Sequence, residues 1–276
     1  MPLYKYCKEP YSVLTHCQIR FTPLAKFNDP FDCLPDSTLL TNPKQVAAFK
    51  ESTYSELAVR EVLASIKERR PTRALPRHVS DAGVDAYFRE KREEIQRMSF
   101  ESQREGAKDF RILSLSKKAA DSPEGLLLWA HYTDGHKGVV FEFDEAHPWI
   151  ADHGKVKAGP TERWDVVYSE KRATWDGSKV QSRAAYIKST HWTYEGEVRL
   201  IKFKGISEGL DDSEVDSLVN FDPPCLRSVI LGVNCPPERE ASIRDALARP
   251  EMAHVTLMKA ELHPHEFRLV VKPLSR

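Results

Sequence analysis

The chain has 276 residues, 41% hydrophobic and 30% charged, with 41 basic side chains balanced by 41 acidic ones. A formal charge of zero provides no long-range attraction to nucleic acid or to an anionic membrane, and no apolar run approaches the length of a membrane span. The length suffices to bury a sizeable core as a single domain over residues 1–276, and no signal peptide opens the sequence. Five cysteines, odd in number and without C-x-x-C spacing, point to a reducing cytoplasm and away from a structural zinc site.

Two short β-like runs come first, Leu3–Tyr6 and Gln18–Thr22. The polar stretch from Phe27 to Asp32 then reads as a turn, because Pro30 pushes Asp29 out of the helical region. Residues 43–110 read as a helical insertion: Tyr54, Leu57, Ala58, Val62 and Ile66 recur at helical spacing, as do Val84, Phe88, Ile95 and Met98. The basic, proline-bearing segment from Lys67 to His78 connects these two helices, either as a solvated linker or as a phosphate-binding patch, and Ser80 or Asp81 is placed to cap the second helix. Arg111–Ser116 alternates as a strand, Pro123–Tyr132 reads as a short buried helix, and Gly138–Phe143 as a strand. Trp164–Tyr168 and Glu195–Phe203 add two strands, and Leu226–Val233 a strong one. Pro236 and Pro237 open a helix running through Ala248, and Val255–Leu262 and Phe267–Val271 complete the sheet. Strands, then helices, then mostly strands predict an α+β fold with a mixed or antiparallel sheet.

The most informative segment is His191–Leu200. If it is extended, period two puts Glu195, Glu197 and Arg199 in one row on one face. Two carboxylates so close repel, and at least one pKa should rise unless a cation or ligand intervenes. The alternative reading is a solvated face with a cross-strand ion pair.

Nucleotide-binding glycine motifs, the phosphate loop, the H-E-x-x-H metalloprotease motif and the nucleophile elbow are all missing. His131 and His136, or His263 and His265, signal a metal site only weakly by their spacing. Trp129, His131 and Tyr132 form an aromatic group read either as core packing or as the wall of a site that stacks a base or nicotinamide ring.

Four stretches, Leu3–Tyr6, Phe27–Asp32, Leu126–Phe143 and His191–Leu200, together resemble the bacterial domain-of-unknown-function family 2971. Lys188, Trp192, Glu195, Glu197 and Arg199 fall on that family's closing motif, while Cys7 and Ser114-Leu115-Ser116 depart from its pattern. No activity comes with this resemblance.

A looser similarity, to ADP-ribosyltransferases, rests on a first-strand cation (Lys5 or Arg20), Ser114 and Ser116, then Glu195 and Glu197, in that order. It implies NAD as a substrate, with the nicotinamide–ribose bond broken through an oxocarbenium-like state that a carboxylate stabilises. By that similarity the catalytic residues are Glu197, beside the ribose, and Glu195, toward the acceptor. Ser114 and Ser116 would support the ribose or the catalytic glutamate, and Arg20 or Lys5 would grip the pyrophosphate. Trp129, His131 or Tyr132 would flank a ring, Asn28 and Asp29 would belong to a loop over the pocket, and Arg199 would complete the site. The acceptor would be a protein, a nucleic acid or a small molecule. Two other readings compete. One is a nuclease or phosphoryl enzyme using Asp29, Asp32, Glu195 and Glu197 around Mg²⁺. The other is a non-catalytic nucleotide-binding sensor in a bacterial toxin or defence system.

Overall fold

The structure is a computed structural model describing residues 1–23, 26–32, 110–151, 162–173, 185–203 and 218–275. The predicted helices between 43 and 109 and the basic connection between them lie outside the described residues. The chain divides into two units, residues 1–32, 107–170 and 186–276 forming the first and residues 33–106 and 171–185 the second. Nearly all described residues belong to the first unit.

That unit is built on strands β1 (Pro2–Cys7), β2 (Gln18–Arg20), β3 (Thr22–Pro23), β4 (Phe110–Ser116), β5 (Val139–Asp144), β6 (Glu162–Asp165), β7 (Val167–Ser169), β8 (Ile187–Ser189), β9 (Glu197–Phe203), β10 (Leu218–Asn220), β11 (Leu226–Leu231), β12 (Thr256–Leu262) and β13 (Leu269–Pro273). The described helices are α1 (Tyr11–His16), α2 (Gly125–Tyr132), α3 (Pro148–Ala151) and α4 (Pro237–Leu247), with short 3₁₀ turns between. The main sheet runs β13-β12-β11-β5-β1-β4-β9-β6, with β3 added beside β4. All its pairs are antiparallel except β11 with β12, which α4 connects as a crossover. The α+β class and mixed sheet expected from the sequence are what the chain forms.

Alternation explains how the sheet is covered on both faces. On β5, Val139, Phe141 and Phe143 point to one face and Val140 to the other; on β11, Val229 and Leu231 oppose Ile230. The larger cluster gathers Leu3, Leu113, Leu115, Phe141, Val198 and Leu200 with Val13 and Leu14 of α1, Ile150 of α3 and Ile243 and Leu247 of α4. The smaller one gathers Val140 and Ile230 with Leu128 and Trp129 of α2. Gly138 enters β5 with no room for a side chain, since a Cβ there would stand 2.2 Å from the carbonyl oxygen of Cys7.

Three local expectations change. The Gln18–Thr22 run breaks after Arg20: β2 pairs with β10 in a separate two-stranded sheet, and β3 pairs with β4. The Trp164–Tyr168 run likewise divides, β6 pairing β9 and β7 pairing β8 in parallel. The third change concerns Glu195, which lies before β9 and not on it. Thr190–Glu195 is a 3₁₀ turn in which the Ser189 hydroxyl accepts from His191 N, and Gly196 ends it with φ 52°. That left-handed conformation suits glycine and breaks the extended run the alternation suggested.

Candidate active site

Along β4, β1 pairs at one end, Tyr4 opposite Ser116, and β3 at the other, Thr22 opposite Ile112. Between these points the edge of β4 is open, and the Lys5 ammonium spans the gap to the carbonyl of Ser114 at 3.0 Å. A cavity of about 350 Å³ opens there, lined by β1, β4, α2, the Phe27–Asp32 loop, Lys188, Glu195 and Glu197. That volume lies at the low end for small-molecule sites.

The cavity floor is a buried ionic cluster. On β9, Glu197 and Arg199 share a face, as period two requires, opposite Ser116 and Ser114 of β4. The Arg199 guanidinium holds Glu197 in a fork, Nε to Oε1 at 2.8 Å and Nη2 to Oε2 at 3.0 Å, and reaches Asp32 at 2.7 Å. Lys188 on β8 sends its Nζ to Glu195 at 2.5 Å and to Glu197 at 3.1 Å, with Asp32 at 3.8 Å. Its charge also lies 4.9 Å from the centre of the Trp192 ring. Glu195 takes a further hydrogen bond from the Tyr132 hydroxyl. The bend at Gly196 is itself fastened: the Ser116 hydroxyl donates to the Glu195 carbonyl at 2.5 Å, and Lys117 N donates to the Gly196 carbonyl at 2.9 Å. On the far side, Glu197 N donates to the Tyr168 hydroxyl at 2.8 Å.

Three carboxylates thus face two cations, Lys188 and Arg199, so one excess negative charge is left if all ionise. The two glutamates resolve it in opposite directions. For Glu197, burial opposes ionisation, but Arg199, Lys188 and a hydrogen bond from Ser114 outweigh it and hold its carboxyl well below the usual range. For Glu195, burial and the Glu197 charge prevail over Lys188 and push its carboxyl up. Burial would lower Lys188, but the surrounding carboxylates raise it and keep it charged. Burial and the adjacent Glu195 raise the Tyr132 hydroxyl. Lys5 differs: burial pulls its ammonium below the ordinary lysine range, and Cys7 together with the more distant glutamates only partly offsets this.

The residues singled out from the sequence divide accordingly. Lys5, Asn28, Ser114, Ser116, His131, Tyr132, Glu195 and Glu197 line the cavity, while Arg199 lies beneath them in the cluster. Ser116 is committed to the Glu195 carbonyl and to Lys118 N at 2.9 Å, so it braces the loop. Three residues stand elsewhere. Arg20 is exposed on β2, because the chain leaves the main sheet there. Asp29 is turned into its own loop, accepting from Phe31 N at 2.9 Å, as an aspartate before proline commonly does. Trp129 is fully buried, its Nε1 on the Ala120 carbonyl at 2.9 Å and its ring between Tyr6 and His136. Sequence spacing did not point to Lys26, which lines the cavity from an exposed position. Lys188 stood out only through the family resemblance, and Asp32 only in the metal reading.

No group of three or more histidine, cysteine or acidic side chains among the described residues is arranged to hold a metal ion. Asp32, Glu195 and Glu197 do converge, but on the Lys188 ammonium, which stands where a shared cation would have to sit. No described helix is long and apolar enough to cross a membrane.

Fold and site together define an α+β chain with a polar cavity floored by an acid–base cluster. Compared with known proteins, residues 128–200 match the family model described as "Protein of unknown function (DUF2971)". The match runs from α2 to β9 and takes in Tyr132, Lys188, Glu195, Glu197 and Arg199. Lys5, Asp32 and the serines of β4 precede it. No curated protein matches the chain, and no solved structure does.

Proposed function

We propose that the chain is an ADP-ribosyltransferase-like enzyme that cleaves the nicotinamide–ribose bond of NAD and passes the ADP-ribosyl group to an acceptor. One observation carries the reading: two carboxylates at the floor of one cavity are driven to opposite protonation behaviour by their surroundings. Such a divided pair supplies a fixed negative charge and a proton carrier in the same space. Glu197, ionised and gripped by Arg199, Lys188 and Ser114, acts through its field on the positive charge that develops at the ribosyl carbon. With both oxygens already engaged, it is placed as a stabiliser and not as a covalent nucleophile. Glu195 takes the proton from the acceptor, with Tyr132 and Lys188 fixing its orientation. The ribosyl-nicotinamide half suits the cavity's volume, with His131 and Tyr132 beside it. Lys26 at the rim takes the pyrophosphate role that the sequence suggested for Arg20.

A second reading, a nucleotide-binding pocket without turnover, is favoured by the same saturation of the carboxylates. The full-length protein incubated with NAD and cell extract separates the two. Nicotinamide release and transfer of label from the adenylate are expected, and Glu195→Gln and Glu197→Gln should each reduce them by about 10²-fold or more. Calorimetry on both variants should retain NAD binding. Binding without release leaves the sensor reading; release that survives Glu197→Gln removes that residue from the chemistry. Neither binding nor release refutes both.

A further inference from the structure

Of the three lysines lining the cavity, Lys188 and Lys5 stand in contrasting states. Lys188 is surrounded by three carboxylates. Lys5 makes one hydrogen bond, to a neutral main-chain carbonyl, and forms no ion pair among the described residues. A half-buried amine that has only a neutral carbonyl as partner and no counter-ion is a poorer charge holder than a paired one, and it is a good nucleophile when neutral. It faces a cavity that also contains Glu195, whose carboxyl is pushed above the ordinary carboxylate range and can therefore carry a proton in either direction. Nothing in the glycosyl-transfer reading needs a neutral amine there.

We infer that Lys5 is an imine-forming residue for the carbonyl group of a small ligand, the open-chain aldehyde of a sugar phosphate fitting best. The Ser114 hydroxyl oxygen, its proton given to Glu197, can accept from a hydroxyl of such a ligand, Lys26 at the rim suits its phosphate, and about 350 Å³ holds a pentose. The neutral amine adds to the carbonyl carbon: the C–N bond forms, the C=O π pair moves to oxygen, and a proton passes from nitrogen to that oxygen. Glu195 then gives its proton to the resulting hydroxyl, the C–O bond breaks with loss of water, and the nitrogen lone pair closes the C=N bond. The protonated imine is left in the same cavity as the newly ionised Glu195 and the carboxylate of Glu197.

The test needs no NAD, so it succeeds or fails independently of the transferase reading. Folded wild-type protein is incubated with ribose 5-phosphate and cyanoborohydride, which delivers hydride to the imine and fixes it as a secondary amine. Peptide mass spectrometry then locates the adduct over time. Lys5 should be labelled several-fold faster than the exposed Lys117 and the α-amine of Met1, and Glu195→Gln should slow labelling at Lys5 alone. Labelling at Lys5 no faster than at those exposed amines overturns the inference, whether or not any variant folds.

Discussion

The opposed shifts of Glu195 and Glu197 give the protein a pH signature with two signs. Glu197 has a depressed folded pKa, so its contribution to stability is present above the ordinary carboxylate range and is lost as pH falls toward the folded value. Glu195 has a raised one, so its contribution is present below the ordinary range and is lost as pH rises through the folded value. Urea unfolding from about pH 7 to about pH 3 should therefore show a falling midpoint in wild type and a flatter acid limb in Glu197→Gln. Glu195→Gln should track wild type most closely at the acid end and gain on it as pH rises, because glutamine resembles the protonated acid that burial favours and cannot ionise. Equal pH profiles for the two variants would contradict the assignment. These shifts also show why the site was partly hidden in the sequence. The pairing of like charges was visible in Glu195-Gly196-Glu197, and Arg199 stood in the same row, but which cation meets which carboxylate was not. Lys188 is seven residues from Glu195, and Asp32 reaches Arg199 across 167 positions.

At the level of elements, the turn at Gly196 sets where Glu195 points. Alternation read Glu195–Phe203 as one strand, and it holds from Glu197 onward, where hydrogen bonding to β4 runs unbroken to Phe203. The first residues escaped because a glycine with positive φ looks like any small strand residue in a pattern of polar and apolar letters. For Gly196→Ala, the added Cβ would stand 3.1 Å from the flexible Lys118 side chain, which can yield, so backbone strain dominates. A loss of about 1–2 kcal/mol is expected, with asparagine better tolerated than alanine at the same place. Thermal melts of the two variants check this, and an alanine variant as stable as wild type would remove the strain argument. Short elements were the least legible: α1 spans Tyr11–His16, too few residues for a helical period to register. Arg111–Ser116 and Val139–Asp144 were legible because buried residues fill the face that alternation assigned them.

Across the first unit, the sheet sets most of its apolar packing apart from the acid cluster, although Lys5 on β1 stands directly opposite Phe141 on β5. The larger apolar cluster packs on the face carrying α1 and α4, whereas Glu197 and Arg199 share a face with Ser114 and Ser116. Phe141, fully buried on β5, belongs to the larger cluster and does not line the cavity. Phe141→Ala should cost about 3–5 kcal/mol in denaturant unfolding. Below its lowered melting point, the variant should keep nicotinamide release per folded molecule near the wild-type value. A loss of turnover larger than the loss of folded protein would show that the two faces are coupled.

The place of β1 in the sheet has a consequence for how the molecule comes into being. This strand is made before both of its partners in the sheet, β5 and β4, so Lys5 waits for more than a hundred further residues before its neighbours exist. The amine, the carbonyl that receives its hydrogen bond and the acids opposite are supplied by three successive stretches of chain, so the centre is complete only once the last of them, β9, has been added.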